Sequence, residues 1–161
     1  MKRYRWLIQL AIVLAIFFGV RAYMKRDLVK GRFHPVQATT LTGKAVTLGG
    51  AGDGPTMLHV WASWCGVCKA VEGSVQDVSK DARVITVAVQ SGSADDVRSY
   101  MKKKGLDFEV VNDPQGRIAY RLGVHAFPTT FFLSEAGDIR SADVGLATEW
   151  GIRARLWLAG L

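Results

Sequence analysis

The sequence predicts an α/β domain of three layers, a central mixed sheet flanked by helices, carried behind one transmembrane helix. Three observations predict it. Apolar runs at Met57–Trp61 and Val84–Val89 are continuous, as buried parallel strands are; valines at helical spacing follow the first, and a segment with helix start and stop signals follows the second. Thr129–Leu133 and Ile139–Val144 flank the turn Ala136-Gly137-Asp138 and read as an antiparallel pair. Trp6–Val20 is apolar apart from Gln9 and lies between Lys2, Arg3, Arg5 and Arg21, Lys25, Arg26. Strands alternating with helices, then a strand pair, then a helix, make a layered α/β architecture.

The N-terminal segment comes first. With Tyr23 and Met24 included, residues 6–24 reach about twenty positions, enough to cross a bilayer with snorkelling ends. Trp6 and Tyr23 fall where interfacial aromatics belong. An uncleaved signal anchor is the preferred reading. A cleaved signal peptide at Val20-Arg21-Ala22 is disfavoured by the arginine at the cut, and a buried helix of the domain is the third reading. Positive charge flanks both ends, so charge alone does not orient the segment. The chemistry below favours the N-terminus inside and the domain outside. The expected division is a membrane anchor at 1–26, a tether at 27–35 and a domain at 36–161.

The elements of the domain follow in order. Leu41–Leu48 alternates around Gly43-Lys44 and predicts a small hairpin. Gly49–Pro55 holds four glycines and is a loop. Met57–Trp61 is a strand, and Cys65 to about Val78 a helix with Val71, Val75 and Val78 on one face. After the strand Val84–Val89, Ser93 caps a helix with Asp95 and Asp96 in its first turn, Lys102–Lys104 in its last and Gly105 as its stop. Glu109–Val111 is a short strand, Asn112–Gly116 a turn, and Arg117–Leu122 a brief helix ended by Gly123. After the strand pair, Thr148 caps a last helix bearing Trp150, Ile152, Leu156 and Trp157.

Composition narrows the function. The net charge of +7 over 161 residues is misleading, because residues 1–26 hold six Lys or Arg and no acid. The remainder holds fifteen Lys or Arg against fourteen Asp or Glu. A nearly neutral domain argues against nucleic-acid binding. Lys102-Lys103-Lys104 reads as a solvated helix end. The two cysteines, Cys65 and Cys68, cannot build a disulfide scaffold, and a bridge between them closes too small a loop to stabilise much. They sit where a strand delivers Cys65 to a helix N-terminus. Free N–H groups and the helix dipole there favour thiolate, the reactive form. Cys68 lies one turn on, within reach of a disulfide with Cys65. The pair points to two-electron thiol–disulfide exchange.

Three separated stretches resemble the thioredoxin superfamily. One is Trp61-Ala62-Ser63-Trp64-Cys65-Gly66-Val67-Cys68-Lys69, similar to its tryptophan-rich active-site segment. Another is Val124-His125-Ala126-Phe127-Pro128-Thr129, similar to its cis-proline loop. The third is the strand–turn–strand that follows, closed by Gly145. The anchor, the N-terminal β-hairpin extension and a central strand–helix insertion around 93–116 resemble the membrane-anchored cytochrome c maturation thioredoxins. The ending Trp150–Leu158 further resembles the type D disulfide oxidoreductases of suppressor-of-copper-sensitivity systems.

The resemblance implies a thioredoxin fold and a thiol:disulfide oxidoreductase of the bacterial inner membrane, with one span and the catalytic domain in the periplasm. Cys65 is then the exposed nucleophile and Cys68 the resolving thiol. Pro128, in cis, lies against them. Trp64, Gly66, Val67 and Phe127 face the substrate. The implied substrates are extracytoplasmic protein thiols and disulfides, with a membrane electron-transfer partner if the protein is a reductase. A monomer is expected, with no cofactor beyond the redox-active Cys65–Cys68 disulfide. Two residues depart from the pattern. Gly66-Val67 replaces the usual proline-containing pair between the cysteines, which puts the redox poise in doubt. His59 stands where thioredoxins place a buried acid, and it could take the proton of Cys68 with a near-neutral pKa; the alternative is a core histidine with a hydrogen-bonded ring.

The anchored branch generally reduces, and reduction is the preferred direction. A disulfide donor or isomerase is the alternative. A Cys-x-x-Cys copper-binding module is a rival of another class, since thiolates suit Cu(I). Against it, His34, His59 and His125 show no ligand spacing and a structural zinc site needs four ligands. Haem attachment is disfavoured because Lys69, not histidine, follows Cys68.

Overall fold

A computed structural model describes residues 4–32 and 34–161; Lys2 and Arg3, the first basic residues expected before the span, lie outside the described residues. Helix α1 runs Arg5–Lys25. At 1.5 Å per residue its length is about 30 Å, the thickness of a bilayer's hydrocarbon core. Trp6, Ile8, Leu10, Ile12, Ile16 and Phe18 are exposed on all its sides. By length and composition this helix is long and apolar enough to cross a membrane.

Strands β1 (Val36–Thr39) and β2 (Ala45–Leu48) form an antiparallel hairpin. It begins earlier than the Leu41–Leu48 expectation, because the turn spans Thr40–Lys44, closed by Lys44 O accepting from Thr40 N. A five-stranded sheet follows, built from β3 (Thr56–Trp61), β4 (Arg83–Val89), β5 (Glu109–Asp113), β6 (Thr129–Leu133) and β7 (Ile139–Val144). Its order is β5-β4-β3-β6-β7. The β3–β4 and β4–β5 pairs are parallel, and the β3–β6 and β6–β7 pairs antiparallel.

The helices are α2 (Gly66–Ser79), α3 (Ala94–Lys104), α4 (Arg117–Arg121) and α5 (Glu149–Ala159). Alternation along the strands splits the core. Met57, Trp61, Val84, Ala88 and Phe132 pack on one face against α2, α3 and α5, through Val75, Val97 and Ile152 among others. Leu58, Val60, Val87, Phe131 and Leu133 pack on the other face against α4, the hairpin and Leu28. One face is therefore covered by three helices and the other by a single short helix plus the N-terminal extension.

That extension closes both sheet edges. Leu41 N donates to Val110 O at 2.8 Å on the β5 edge, and Ile139 N donates to Gly31 O at 2.6 Å on the β7 edge. Unpaired edge groups invite pairing with other chains, and the extension pairs with one position on each edge. Residues 27–35, expected as a tether, are in part held to the domain: Leu28 is buried and Val29 N donates to Leu122 O at 3.2 Å. A Cβ at Gly123 would run into the carbonyl oxygen of Asp27. Glycine there, at φ +67°, lets the chain from α1 pass.

Candidate active site

The site forms where β3 ends and α2 begins. Cys65 is the N-cap of α2, extended at φ −80° and ψ 116°. Its Sγ accepts from Cys68 N at 3.2 Å. No acid lies in the first turn to oppose negative charge at that sulfur. Cys65 and Cys68 are joined as a disulfide with Cα atoms 5.3 Å apart. Gly66 and Val67, between them, are exposed on the first turn.

Cys65 is not the exposed group expected. It is 8% accessible and Cys68 3%, because neighbouring groups close over the first sulfur. Trp64 and Phe127 meet edge to face at 5.7 Å. The Phe127 carbonyl oxygen lies 3.6 Å from Cys65 Sγ, within reach of the proton of a reduced Cys65 thiol. The Phe127–Pro128 peptide bond is cis, and Gly145 N donates to Pro128 O at 2.9 Å. Trp64 itself is 57% exposed, so plain core packing does not describe it. Its Nε1 donates to Gln90 O at 3.0 Å. Trp61, by contrast, is core and donates to Thr86 Oγ1 at 3.1 Å.

His59 lies beneath, in the middle of β3. Alternation puts it on the face of Met57 and Trp61, the face that carries Cys68. It is 4% exposed, and its Nδ1 shares a hydrogen bond with Thr130 Oγ1 at 2.9 Å. Burial pushes its pKa down to about 4. The near-neutral value expected from sequence is therefore wrong, since burial strips the imidazolium of water and the flanking Thr86 and Thr130 carry no charge to replace it. His59 is neutral at pH 7.

Two site residues escaped sequence reasoning. Ser91 Oγ accepts from Ser63 N at 2.9 Å and donates to Val89 O at 3.0 Å, which ties the loop before Cys65 to the end of β4. Gln90 holds Trp64 and adopts a positive φ of 47°, rare for a non-glycine residue. The polar Gln90-Ser91-Gly92 break after a buried strand was the available signal. Beside Phe127 runs a groove of about 620 Å³, bordered by Gln90, Arg117, Tyr120, Arg121 and His125. A larger cavity of about 750 Å³ between Lys44, Arg83 and Phe108 touches neither cysteine and holds no part of this site. Among the described residues no cluster of three or more His, Cys, Asp or Glu could hold a metal.

A cysteine pair opening a helix beside a cis-proline loop, on a mixed sheet of this order, defines a thioredoxin-like protein. The chain belongs to the AhpC/TSA family, whose model matches residues 29–142. It is 29% identical to a thioredoxin-like protein of Haemophilus influenzae over 154 residues, covering 94% of this chain and 92% of that one. It is 28% identical to the sporulation thiol-disulfide oxidoreductase A of Bacillus subtilis, over 68% of this chain and 70% of that protein. The crystal structure of StoA from Bacillus subtilis superposes with a TM-score of 0.67 at 25% identity, covering 76% of this chain and 96% of that one.

Proposed function

We propose that this chain is a membrane-tethered thiol–disulfide oxidoreductase that reduces disulfides of extracytoplasmic proteins. The observation that carries this is Cys65 at the N-cap of α2, its sulfur bonded by the Cys68 amide and bordered by the Phe127 carbonyl. The names of the relatives support the same chemistry. In the reducing direction the Cys65 thiolate attacks one sulfur of a substrate disulfide and the other leaves as thiolate. Cys68 then gives up its proton and attacks Cys65 Sγ. The second substrate thiolate leaves, and two electrons have passed to the substrate as Cys65–Cys68 closes.

Phe127 and Pro128 offer backbone to a substrate peptide, and Trp64, Gly66 and Val67 form the surface it meets. His59 is the proposed acceptor of the Cys68 proton. In the neutral tautomer whose Nδ1 donates to Thr130 Oγ1, the Nε2 lone pair is free to take the proton, and a thiolate forming on its side of the sheet raises its affinity for it. The apolar length of α1 supports an anchor at residues 1–26 that crosses the membrane once; the bacterial inner membrane, the periplasmic side and a monomeric domain rest on the resemblance to the anchored thioredoxins. A reductase in that compartment needs electrons from a membrane partner. A link to copper tolerance rests on the C-terminal resemblance alone.

Trapping tests the mechanism. With a peptide disulfide, detergent-solubilised Cys68→Ser is expected to accumulate a mixed disulfide through Cys65, and Cys65→Ser to form none. Equal inertness of both variants would sink the assignment. Direction is read from the reduction potential. A value at or below about −270 mV, that of thioredoxin, fits a reductase, whereas one near about −120 mV would mark a disulfide donor.

A further inference from the structure

Helix α5 carries an apolar surface that the redox site does not use. Ile152, Leu156 and Ala159 face the core. The opposite side presents Trp150 at 82% exposure, Ala154, Trp157 at 67% and Leu161, with Leu158 beside them. Positions 150, 154 and 157 share one stripe of α5, and Leu161 follows just past the end of the helix at Ala159. Two tryptophans on one stripe, with Leu158 beside them and Leu161 just past the helix end, all held in water, mark a contact surface rather than scattered exposure.

The surroundings of that stripe identify the contact. Arg155, in the middle of α5, reaches Asp143 Oδ2 at 3.1 Å. Lys25 reaches Oδ1 of the same carboxylate at 2.9 Å, and Arg21 pairs with it too. Arg21 and Lys25 lie in the last turns of α1, where the apolar span ends and the headgroups begin. The centre of α5 is therefore one side-chain bridge away from the headgroup level. Its eleven residues extend only about 8 Å to either side of that point. Three cations share one carboxylate there, which leaves positive charge in excess, while the acids Asp81 and Glu149 are both paired with Arg153. Tryptophan and leucine on one face with arginine at the flanks is the composition of a helix lying in a membrane interface.

We propose that α5 rests on the same bilayer that α1 crosses, with Trp150, Trp157, Leu158 and Leu161 sunk to the boundary of headgroups and acyl chains. The proposal rests on the reading of α1 as a membrane span. Its consequence is orientation. Helix α5 packs on α2, whose N-cap is Cys65. Two attachments, a span and a surface helix, fix the direction in which the cysteines face, where a single span would let the domain swivel.

The experiment uses the full chain in vesicles of phosphatidylethanolamine and phosphatidylglycerol with bromine on the upper acyl chain, which quenches nearby tryptophan. Wild type is compared with Trp150→Phe/Trp157→Phe and with Trp6→Phe, whose altered residue lies in α1. These are exposed, conservative changes, and unaltered reduction of the Cys65–Cys68 disulfide by dithiothreitol checks the fold. The expected result is that the double variant loses most of the quenchable emission that Trp6→Phe retains. Quenching that persists undiminished in the double variant and vanishes in Trp6→Phe overturns the docking while the span stands. No quenching in any protein overturns both. Crosslinking of the α5 stripe to a protein or to a second copy, with Trp150 and Trp157 unquenched, also overturns it.

Discussion

At position 59 an imidazole is buried between two threonines, Thr86 and Thr130, with no charged partner, and this has a consequence for stability against pH. Folded, His59 stays neutral down to about 4; unfolded, it takes a proton from its ordinary 6.5. Between those values the unfolded chain binds more protons, so stability rises with pH there. The contribution is complete above pH 6.5 and is lost as pH falls towards 4. At roughly 1.4 kcal/mol per pKa unit the loss amounts to about 3 kcal/mol. The urea midpoint of the detergent-solubilised chain should therefore fall between pH 7 and pH 5. His59→Asn, which can still bond Thr130, should remove most of that slope. An unchanged slope in the variant would place the acid sensitivity elsewhere. The presence of a histidine at this position was legible in the sequence; its pKa was not, because a pKa depends on what packs round the ring. The same division holds across the site. Cys65, Cys68 and Pro128 announce themselves in short local motifs. Gln90 and Ser91 do not, since they matter only because β4 ends where the loop of Ser63 and Trp64 passes.

Among the elements, α4 shows how a helix too short to stand alone is held. It spans only Arg117–Arg121 and its N-cap is Gly116, which has no side chain to offer. Isolated helices of that length are unstable in water. The buried carboxylate of Asp113 substitutes for the cap by accepting from Arg117 N, Ile118 N and Ala119 N at 2.8, 2.9 and 3.0 Å. Asp113→Ala would leave those donors without a partner and should cost about 2 to 3 kcal/mol. Asp113→Asn, which keeps one acceptor oxygen, should cost less. Denaturant unfolding measures both, and equal, negligible losses would refute the account. Because Tyr120 and Arg121 border the groove beside Phe127, the alanine variant should also slow thiol exchange with a peptide while leaving reduction by dithiothreitol unchanged. Sequence reasoning placed Asn112 and Asp113 in a turn, since Asn-Asp-Pro-Gln-Gly has every turn residue. The structure extends β5 through Asp113, because Asn112 and Asp113 pair with Ala88 and Val89 of β4. By contrast, α3 was legible from end to end. Its signals are local: Ser93 and Asp96 form a reciprocal capping box, and Gly105 closes the helix at φ 66°.

For the whole molecule, the decisive joint is the one between the membrane helix and the domain, and it turns on Asp143. This residue sits on β7, the edge strand, with its side chain on the α5 side of the sheet. Burial pushes its carboxyl up, but bonds from Lys25 and Arg21 outweigh that and hold it below the ordinary 3.8. A carboxylate with a lowered folded pKa contributes stability that is present above its unfolded value and lost as pH falls through the folded one. The joint therefore stays closed at every pH above about 4, and His59, not Asp143, governs the milder acid range. Nothing local in the sequence revealed this link. Arg21, Lys25, Asp143 and Arg155 lie in three separate elements; the first two read only as charges that flank the apolar span, and the other two as ordinary surface charges. Asp143→Ala removes the only carboxylate these three cations share and leaves them facing one another. The expected effect is release of α1 from β7 and α5. In detergent, trypsin should then cut at Lys25, Arg26 or Lys30 several-fold faster than in wild type, with the rest of the domain still resistant. Raised salt should speed cleavage of wild type, whose ion pairs it screens, more than that of the variant. Equal cleavage rates for the two proteins would mean that Leu28 and the Gly31–Ile139 pairing hold the joint without the carboxylate.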